Sequence, residues 1–308
     1  MTPGVEPFKL QDSLVSALAS GADAVILDLE DPRLPSPYTE PTRIAAREFV
    51  RERFAAIPAR QVHPQLWVRV QGIDTRNTLQ DLLAVVQPAL SGIILPKSTG
   101  PRDVIAAEAL LDQVEVVNGV PHGQVRIWPL LETPGGIRQA YELAMASPRV
   151  AYMGGMAGIS GDQARLIGFT WSRGGVETQY ARTKAVIDAR SAGIRFPIGG
   201  MWCGDGDDLD GLREFAIETR NLGYYGMLLA RSKHVAAVNE VFTPSPADAA
   251  HWEEIEQIGA RAAERSDAYM SRMTEDGTEV QVHFHDVEMA QTKMELISGL
   301  RATGAIDF

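Results

Sequence analysis

At 308 residues the chain is long enough to bury one large core, and a five-strand Rossmann domain would leave too much chain over. Its 40 acidic residues outnumber 29 basic ones, for a net charge of −11, and no basic patch interleaved with aromatics offsets them; this argues against general nucleic-acid binding but leaves room for an arginine-lined anion cleft. A single cysteine, Cys203, removes a disulfide framework or CxxC metal knuckle, and the lack of a positively charged leader or of any apolar run of about 18 residues predicts a cytoplasmic protein without a membrane span.

In chain order, residues 13–18 read as a short helix stopped near Gly21, followed by a strand over 24–29. The proline-rich stretch 32–41 reads as a loop, after which Thr42 caps a helix running to about Phe54. A second strand is expected over 66–70, a helix over 78–86, a third strand over 93–95, and a helix that starts near Pro101 and ends before Gln113. Residues 114–117 and 125–131 read as strands bracketing a Pro-His-Gly turn. A helix over 136–145, a strand over 149–153 and a glycine-rich loop over 154–161 come next. Helix 177–191, strand 196–201, helix 209–222, strand 225–229 and a helix over about 233–241 complete an alternation of about eight strands with helices.

That alternation favours a closed α/β TIM (β/α)8 barrel over an open sheet, with the barrel occupying residues 1–245. Residues 246–308 read as a C-terminal helical extension, a lid or oligomer arm. It comprises a long helix from an Asp248 N-cap to about Met270, a turn at Asp276-Gly277, a short strand over 280–284 and a helix over 286–300. Trp252, Ile255, Ile258 and Ala262 form an apolar stripe on the first of these helices, expected to pack on the barrel or against a neighbouring subunit.

Successive strand candidates finish in charge. The first leads to Asp28, Glu30 and Asp31, the second to Arg69, the third to Lys97, and 125–131 to Glu132, where Thr-Pro-Gly-Gly opens a helix. Alternating α/β folds place their chemistry at these strand ends. Glu132 and Asp162 are the best metal ligands in the sequence, and two carboxylates in oxygen-rich surroundings suit Mg2+ or Mn2+. The plainer readings are a helix-capping or ion-pairing Glu132 and an Asp162 in an ordinary turn. Arg69 can grip a carboxylate or ketone oxygen in a fixed fork and stabilise enolate charge, or form a salt bridge to the nearby acids. Asp28 and Glu30 share one face of their strand, where they can hold Arg69 or orient metal-bound water. Lys97 reads as an electrostatic or ion-pairing residue, with a Schiff-base amine the lesser alternative. His283 and His285 have only Asp286 and Glu288 near them and make no metal triad.

Together these pieces resemble the citrate lyase beta-subunit-like and malyl-CoA lyase family of the HpcH/HpaI aldolase/citrate lyase superfamily. The matching segments are Ala24-Val25-Ile26-Leu27-Asp28-Leu29-Glu30-Asp31, Arg47, Val68-Arg69-Val70, Leu95-Pro96-Lys97, Leu131-Glu132-Thr133-Pro134-Gly135-Gly136 and Val238-Asn239-Glu240-Val241-Phe242-Thr243-Pro244-Ser245. The resemblance implies a TIM barrel, assembled as a homotrimer or homohexamer. It places Glu132 and Asp162 on Mg2+ and Arg69 on the substrate, a 2-keto or 2-hydroxy acid or its CoA thioester, cleaved through an enolate. It also offers Asp286 as a general acid or base. Condensation or thioester hydrolysis on the same scaffold, and a non-catalytic regulatory member, are the alternatives. Three departures stand out: Asp162 follows a longer loop than the family's, Gln71 stands where the family has an asparagine and would alter a ligand contact, and residues 228–234 carry Leu-Leu-Ala-Arg-Ser-Lys-His where the family's acyl-CoA lyases have Ile-His-Pro.

Overall fold

Period-two alternation, which sends successive side chains to opposite faces of a strand, organises the first part of the chain. In β1 (Ala24–Asp28) Val25 and Leu27 are buried under helices while Ala24 and Ile26 face the other way. In β2 (Gln65–Arg69) Leu66 and Val68 take the helix side and Trp67 the other; in β3 (Gly92–Leu95) and β4 (Arg126–Pro129) the same division separates Ile93 and Ile127 from Ile94 and Trp128. These strands form a parallel sheet in the order β1-β2-β3-β4, in a register that sets Asp28 beside Arg69. The computed structural model describes residues 7–30, 40–58, 64–155, 161–172, 174–202, 204–266, 270–274 and 276–308, with side chains from residue 13 onward. Asp31, Cys203 and residues 156–160 of the glycine-rich loop lie outside them.

Parallel bridges continue the series beyond β4, from Ile127 to Val150, Leu130 to Gly154, Gly154 to Ile198, and Gly199 to Met227. The expected strands at 149–153, 196–201 and 225–229 are thus present as short bridged segments. One apolar cluster gathers Ile26, Trp67, Ile94, Trp128, Leu130, Tyr152, Ile198 and Leu228, which come from every member of that series. An open sheet would spread such residues along one face with its first and last strands far apart, whereas a sheet curled upon itself gathers them in one interior. The amide of Asn239 in a late helix donates to the carbonyl of Gly21, just ahead of β1 (3.1 Å). The fold is accordingly an α/β fold of the modified TIM-barrel class. Trp67 packs edge to face with Trp128 and Tyr152 in its interior, and those two are tilted against each other, with ring centroids 5.5–6.0 Å apart. A Cβ on Gly92 would lie 2.3 Å from the Trp67 ring, so the smallest residue on β3 makes room for the largest on β2.

The helices α1 (Pro7–Leu18), α2 (Glu40–Ala55), α3 (Thr78–Val85) and α4 (Pro101–Asn118) precede or follow the first strands, and α5 (Pro134–Arg138), α6 (Ala140–Met145), α7 (Asp162–Ile167), α8 (Val176–Ser191), α9 (Leu209–Asn221) and α10 (Val235–Phe242) complete the first unit. One expected strand is overturned: residues 114–117 belong to α4, which runs on to a left-handed C-cap at Gly119. Val104, Ala107, Leu111, Val114 and Glu115 are buried at helical spacing, while Val116 and Val117 are exposed, a pattern of period 3.6 rather than 2. Glu115 is anchored there by Arg149, whose guanidinium also reaches Asp112, and by the amides of Gly123 and Val125. This buried network ties α4 to the N-terminal end of β4, away from the strand ends that carry the acids.

The chain divides into units Met1–Phe242 and Thr243–Phe308. In the second, α11 (Pro246–Arg265) and α12 (Phe284–Ala302) flank a hairpin of β5 (Ser271–Met273) and β6 (Glu279–Gln281). The N-cap is Ser245, with Asp248 as its capping-box partner one turn on, because the Ser245 hydroxyl accepts from the Asp248 amide while the Asp248 carboxylate accepts from Ser245. The helix ends at Arg265, short of Met270, where Ser266 turns left-handed. Phe284 opens α12 rather than closing a strand. Ile255, Ile258 and Ala262 pack with Met270, Val282 and Ala290 of their own unit, an internal partner that the sequence reading did not offer. Among the described residues no helix is long and apolar enough to cross a membrane.

Candidate active site

All but one of the site residues are placed by the strand that ends beneath them; Asp162 instead opens α7. Asp28 closes β1 and Arg69 closes β2, and their side chains meet in a two-pronged pair, Arg69 Nε to Asp28 Oδ1 at 2.8 Å with Nη2 on Oδ2. Arg69 Nη1 lies 3.0 Å from Glu30 Oε2. Arginine binds carboxylates in this fork geometry, and here the acids fix its plane. Glu30 is 8 % exposed and also takes the Lys97 ammonium. That ammonium lies 3.2 Å from Asp162 Oδ2, and the Lys97 amide donates to Glu132 Oε1 at 2.7 Å. Asp28, Glu30, Arg69, Lys97, Glu132 and Asp162, the candidates read from the sequence, are all brought together.

Local sequence explains the precision. Pro134 at the start of α5 and Thr133 as its N-cap stop the strand and turn it directly after Glu132. The Thr133 hydroxyl accepts from the Gly136 amide and donates to the Ser98 carbonyl, stapling the turn after β4 to the turn after β3. Gly135 and Gly136 allow that approach, since a Cβ on Gly136 would lie 2.4 Å from the Ser98 oxygen. Lys97, between the two turns, adopts a left-handed backbone (φ 52°), rare for a side chain of its kind and held here by the contacts on either side.

Two supports were not foreseen. Gln71 serves as a brace where a ligand contact was expected: its amide nitrogen donates to the Leu29 carbonyl, its main-chain N–H to Asp81, and Asp81 also holds Arg47 Nε at 2.7 Å. This chain of bonds locks the exits of β1 and β2 together. Asp81 was detectable in principle, as an acid on the buried face of α3 with Thr78, Leu82 and Val85. The other support is Arg165, one turn along α7, whose guanidinium bonds Asp162 Oδ1 at 2.8 Å. Opposite charges three residues apart on a helix are its sequence signal.

Glu30, Glu132 and Asp162 each offer an oxygen, and these oxygens lie within 4.8 Å of one another. Burial and the charge of Glu30 push the Glu132 carboxyl above its ordinary range, against the pull of the Lys97 amide, Lys97 and Arg69. Burial alone would lower Lys97, yet Glu30, Asp162 and Glu132 hold its ammonium above its usual value; Arg69 is raised likewise, chiefly by Asp28 against burial. Asp28, Glu30, Glu132 and Asp162 face Arg69 and Lys97, leaving a formal charge of −2 before the exposed Arg165 is counted. A clustered all-oxygen donor set with that surplus fits a hard divalent cation such as Mg2+. An open hollow of about 650 Å³ occurs elsewhere, lined by Arg126, Ser147, Tyr152, Arg195 and Phe196, and contains none of these acids.

Residues 7–232 match the family model described as HpcH/HpaI aldolase/citrate lyase. An L-malyl-CoA/beta-methylmalyl-CoA lyase of Rhodobacter capsulatus is 30 % identical over 273 residues, covering 82 % of this chain and 80 % of its own. A (3S)-malyl-CoA thioesterase of Cereibacter sphaeroides is 28 % identical over 96 % of this chain and 95 % of its own. The crystal structure of a citrate lyase from Burkholderia xenovorans superposes with a TM-score of 0.72 at 16 % identity, over 98 % of this chain and 91 % of that one, a likeness of fold. Because the family match runs through every strand that ends in one of these charged side chains, the chain belongs to the HpcH/HpaI aldolase/citrate lyase family of carbon–carbon lyases.

Proposed function

We propose that the protein is a Mg2+-dependent lyase that cleaves a 2-hydroxy or 2-keto acid, or its CoA thioester, at a carbon–carbon bond through an enolate. The observation that carries this reading is the Glu30, Glu132 and Asp162 cluster beside an arginine clamped by Asp28 and Glu30. Glu132 and Asp162 would hold Mg2+ or Mn2+, and Glu30 would fix Arg69 and Lys97 around them. A cation so held supplies Lewis acidity to the substrate's carbonyl and carboxylate oxygens. In the cleavage direction the hydroxyl proton passes to a base, the carbonyl of one fragment forms, the electrons of the breaking bond pass to the carbonyl oxygen of the other, and the enolate so formed takes a proton back at carbon. Arg69 has N–H donors to spare on its terminal nitrogens and offers them to that oxygen as its charge grows. The fork to Asp28 prevents the guanidinium from turning away, so this stabilisation is organised before the reaction.

Titration of Mg2+ by calorimetry, with and without oxalate as an enolate mimic, tests the reading in wild type and Asp162→Asn. Cation-dependent oxalate binding lost in the variant supports it, and equal binding in both removes Asp162 from the site. Thioester hydrolysis is a second reading, favoured by the near full-length match to the malyl-CoA thioesterase. With malyl-CoA as probe, glyoxylate and acetyl-CoA report cleavage, whereas malate and free CoA report hydrolysis.

A further inference from the structure

Lys97 touches all three clustered carboxylates, and it does so with two different parts of the residue. Its main-chain N–H is committed to Glu132 at 2.7 Å, and its left-handed backbone is gripped between the turns after β3 and β4. Its ammonium, on a flexible stem whose side chain is 25 % exposed, bonds Glu30 and stands 3.2 Å from Asp162. The amide contact therefore belongs to the frame, while the ammonium can move aside without disturbing it. Asp162 is where this matters: a cation shared by Glu132 and Asp162 needs an oxygen that the ammonium now engages.

We propose that the Lys97 ammonium is a tethered counter-cation that competes with the divalent cation for Asp162 and thereby sets the affinity of the centre. The inference rests on the reading that Glu132 and Asp162 bind that cation. With the ammonium drawn back to Glu30, Glu132 remains aligned by the Lys97 amide, Glu30 by Arg69 and Asp162 by Arg165, so the centre can accept and release its cation without rebuilding its carboxylates. The acids carry a surplus of −2, or −1 with Arg165 on Asp162 counted, and removing Lys97 raises it by one unit within a few ångströms of the incoming ion.

The test is calorimetric titration of Mg2+ into chelator-treated, dialysed full-length protein as wild type, Lys97→Met and Lys97→Gln, with Glu132→Gln as the site control. Both Lys97 variants keep the main-chain N–H and most of the stem. Tightening of Mg2+ binding by at least about tenfold in a folded Lys97 variant, abolished when Glu132→Gln is added, is the expected result. Unchanged or weaker binding in folded Lys97 variants, alongside measurable wild-type binding lost in Glu132→Gln, overturns the competition while leaving the metal site standing. Wild-type binding indifferent to Glu132→Gln, or no binding in any protein, overturns the metal reading and this inference with it. Circular dichroism establishes folding, and the Gln variant serves if Met does not fold.

Discussion

Replacing Gly136 with alanine tests whether catalysis depends on the contact between the turns after β3 and β4. The new Cβ would lie 2.4 Å from the Ser98 carbonyl oxygen, which already accepts from Thr133. An unstrained carbon–oxygen contact is about 3.3 Å, so the two turns must separate by roughly 0.9 Å. Overpacking of this kind costs about 1–3 kcal/mol of stability. The functional cost is larger, because Glu132 lies four residues before Gly136 and Lys97 one residue before Ser98, on opposite sides of the widening gap; their 2.7 Å bond lengthens with it. A displacement near 1 Å at a reacting centre is worth about 10²-fold in rate. The assay is kcat for cleavage at a temperature where the variant is fully folded, alongside urea unfolding. Gly299→Ala provides the control, since a Cβ there meets nothing within 4 Å. A Gly136→Ala enzyme destabilised as expected but with wild-type kcat would refute the link between this staple and the position of Glu132.

Arg69→Lys keeps a positive charge but loses the fork to Asp28, so kcat should fall by about 10²- to 10³-fold with far-UV circular dichroism unchanged; near-normal turnover would reject the role given to Arg69. Burial favours a neutral Glu115, but Arg149 and the amides of Val125 and Gly123 outweigh it and hold its carboxyl below the usual range. A depressed folded value means that the stabilisation is complete above the unfolded carboxylate value of about 4.3 and is lost as pH falls through the folded value. Glu115→Gln should therefore cost about 3 kcal/mol at neutral pH and show a shallower loss of stability on acidification, measured by urea unfolding across pH 2–7.

What the sequence revealed and what it concealed follow from how far apart the interacting partners lie. Asp28, Arg69, Lys97 and Glu132 were legible because each follows a short apolar run, and the end of a parallel strand is a place defined by local pattern alone. Their mutual bonds follow once strands are ordered, as the pairing of Asp28 with Arg69 in register shows. Gln71 was misjudged because its partners, the Leu29 carbonyl and Asp81, are far from it or lie on another element; the residue type suggested a ligand contact where the fold uses a brace. The misread strand at 114–117 has a similar origin. Its valines mimic a strand locally, and only the longer pattern from Val104 to Glu115 reveals the helix. Glu115 lost its significance with that error, since its Arg149 partner is 34 residues away.

Trp67 and Trp128, both buried, pack with Tyr152 on the strand side of the acids, so the direct approach to the acids is from the strand-end side. A reaction that splits one molecule into two in a site approached from one side imposes a sequence on departure: the fragment held by the acids leaves after the fragment above it. Product-inhibition kinetics record such an order. The inner fragment competes with substrate for the free enzyme, the outer one inhibits noncompetitively, and exchanging those patterns would place the later-leaving fragment nearer the mouth.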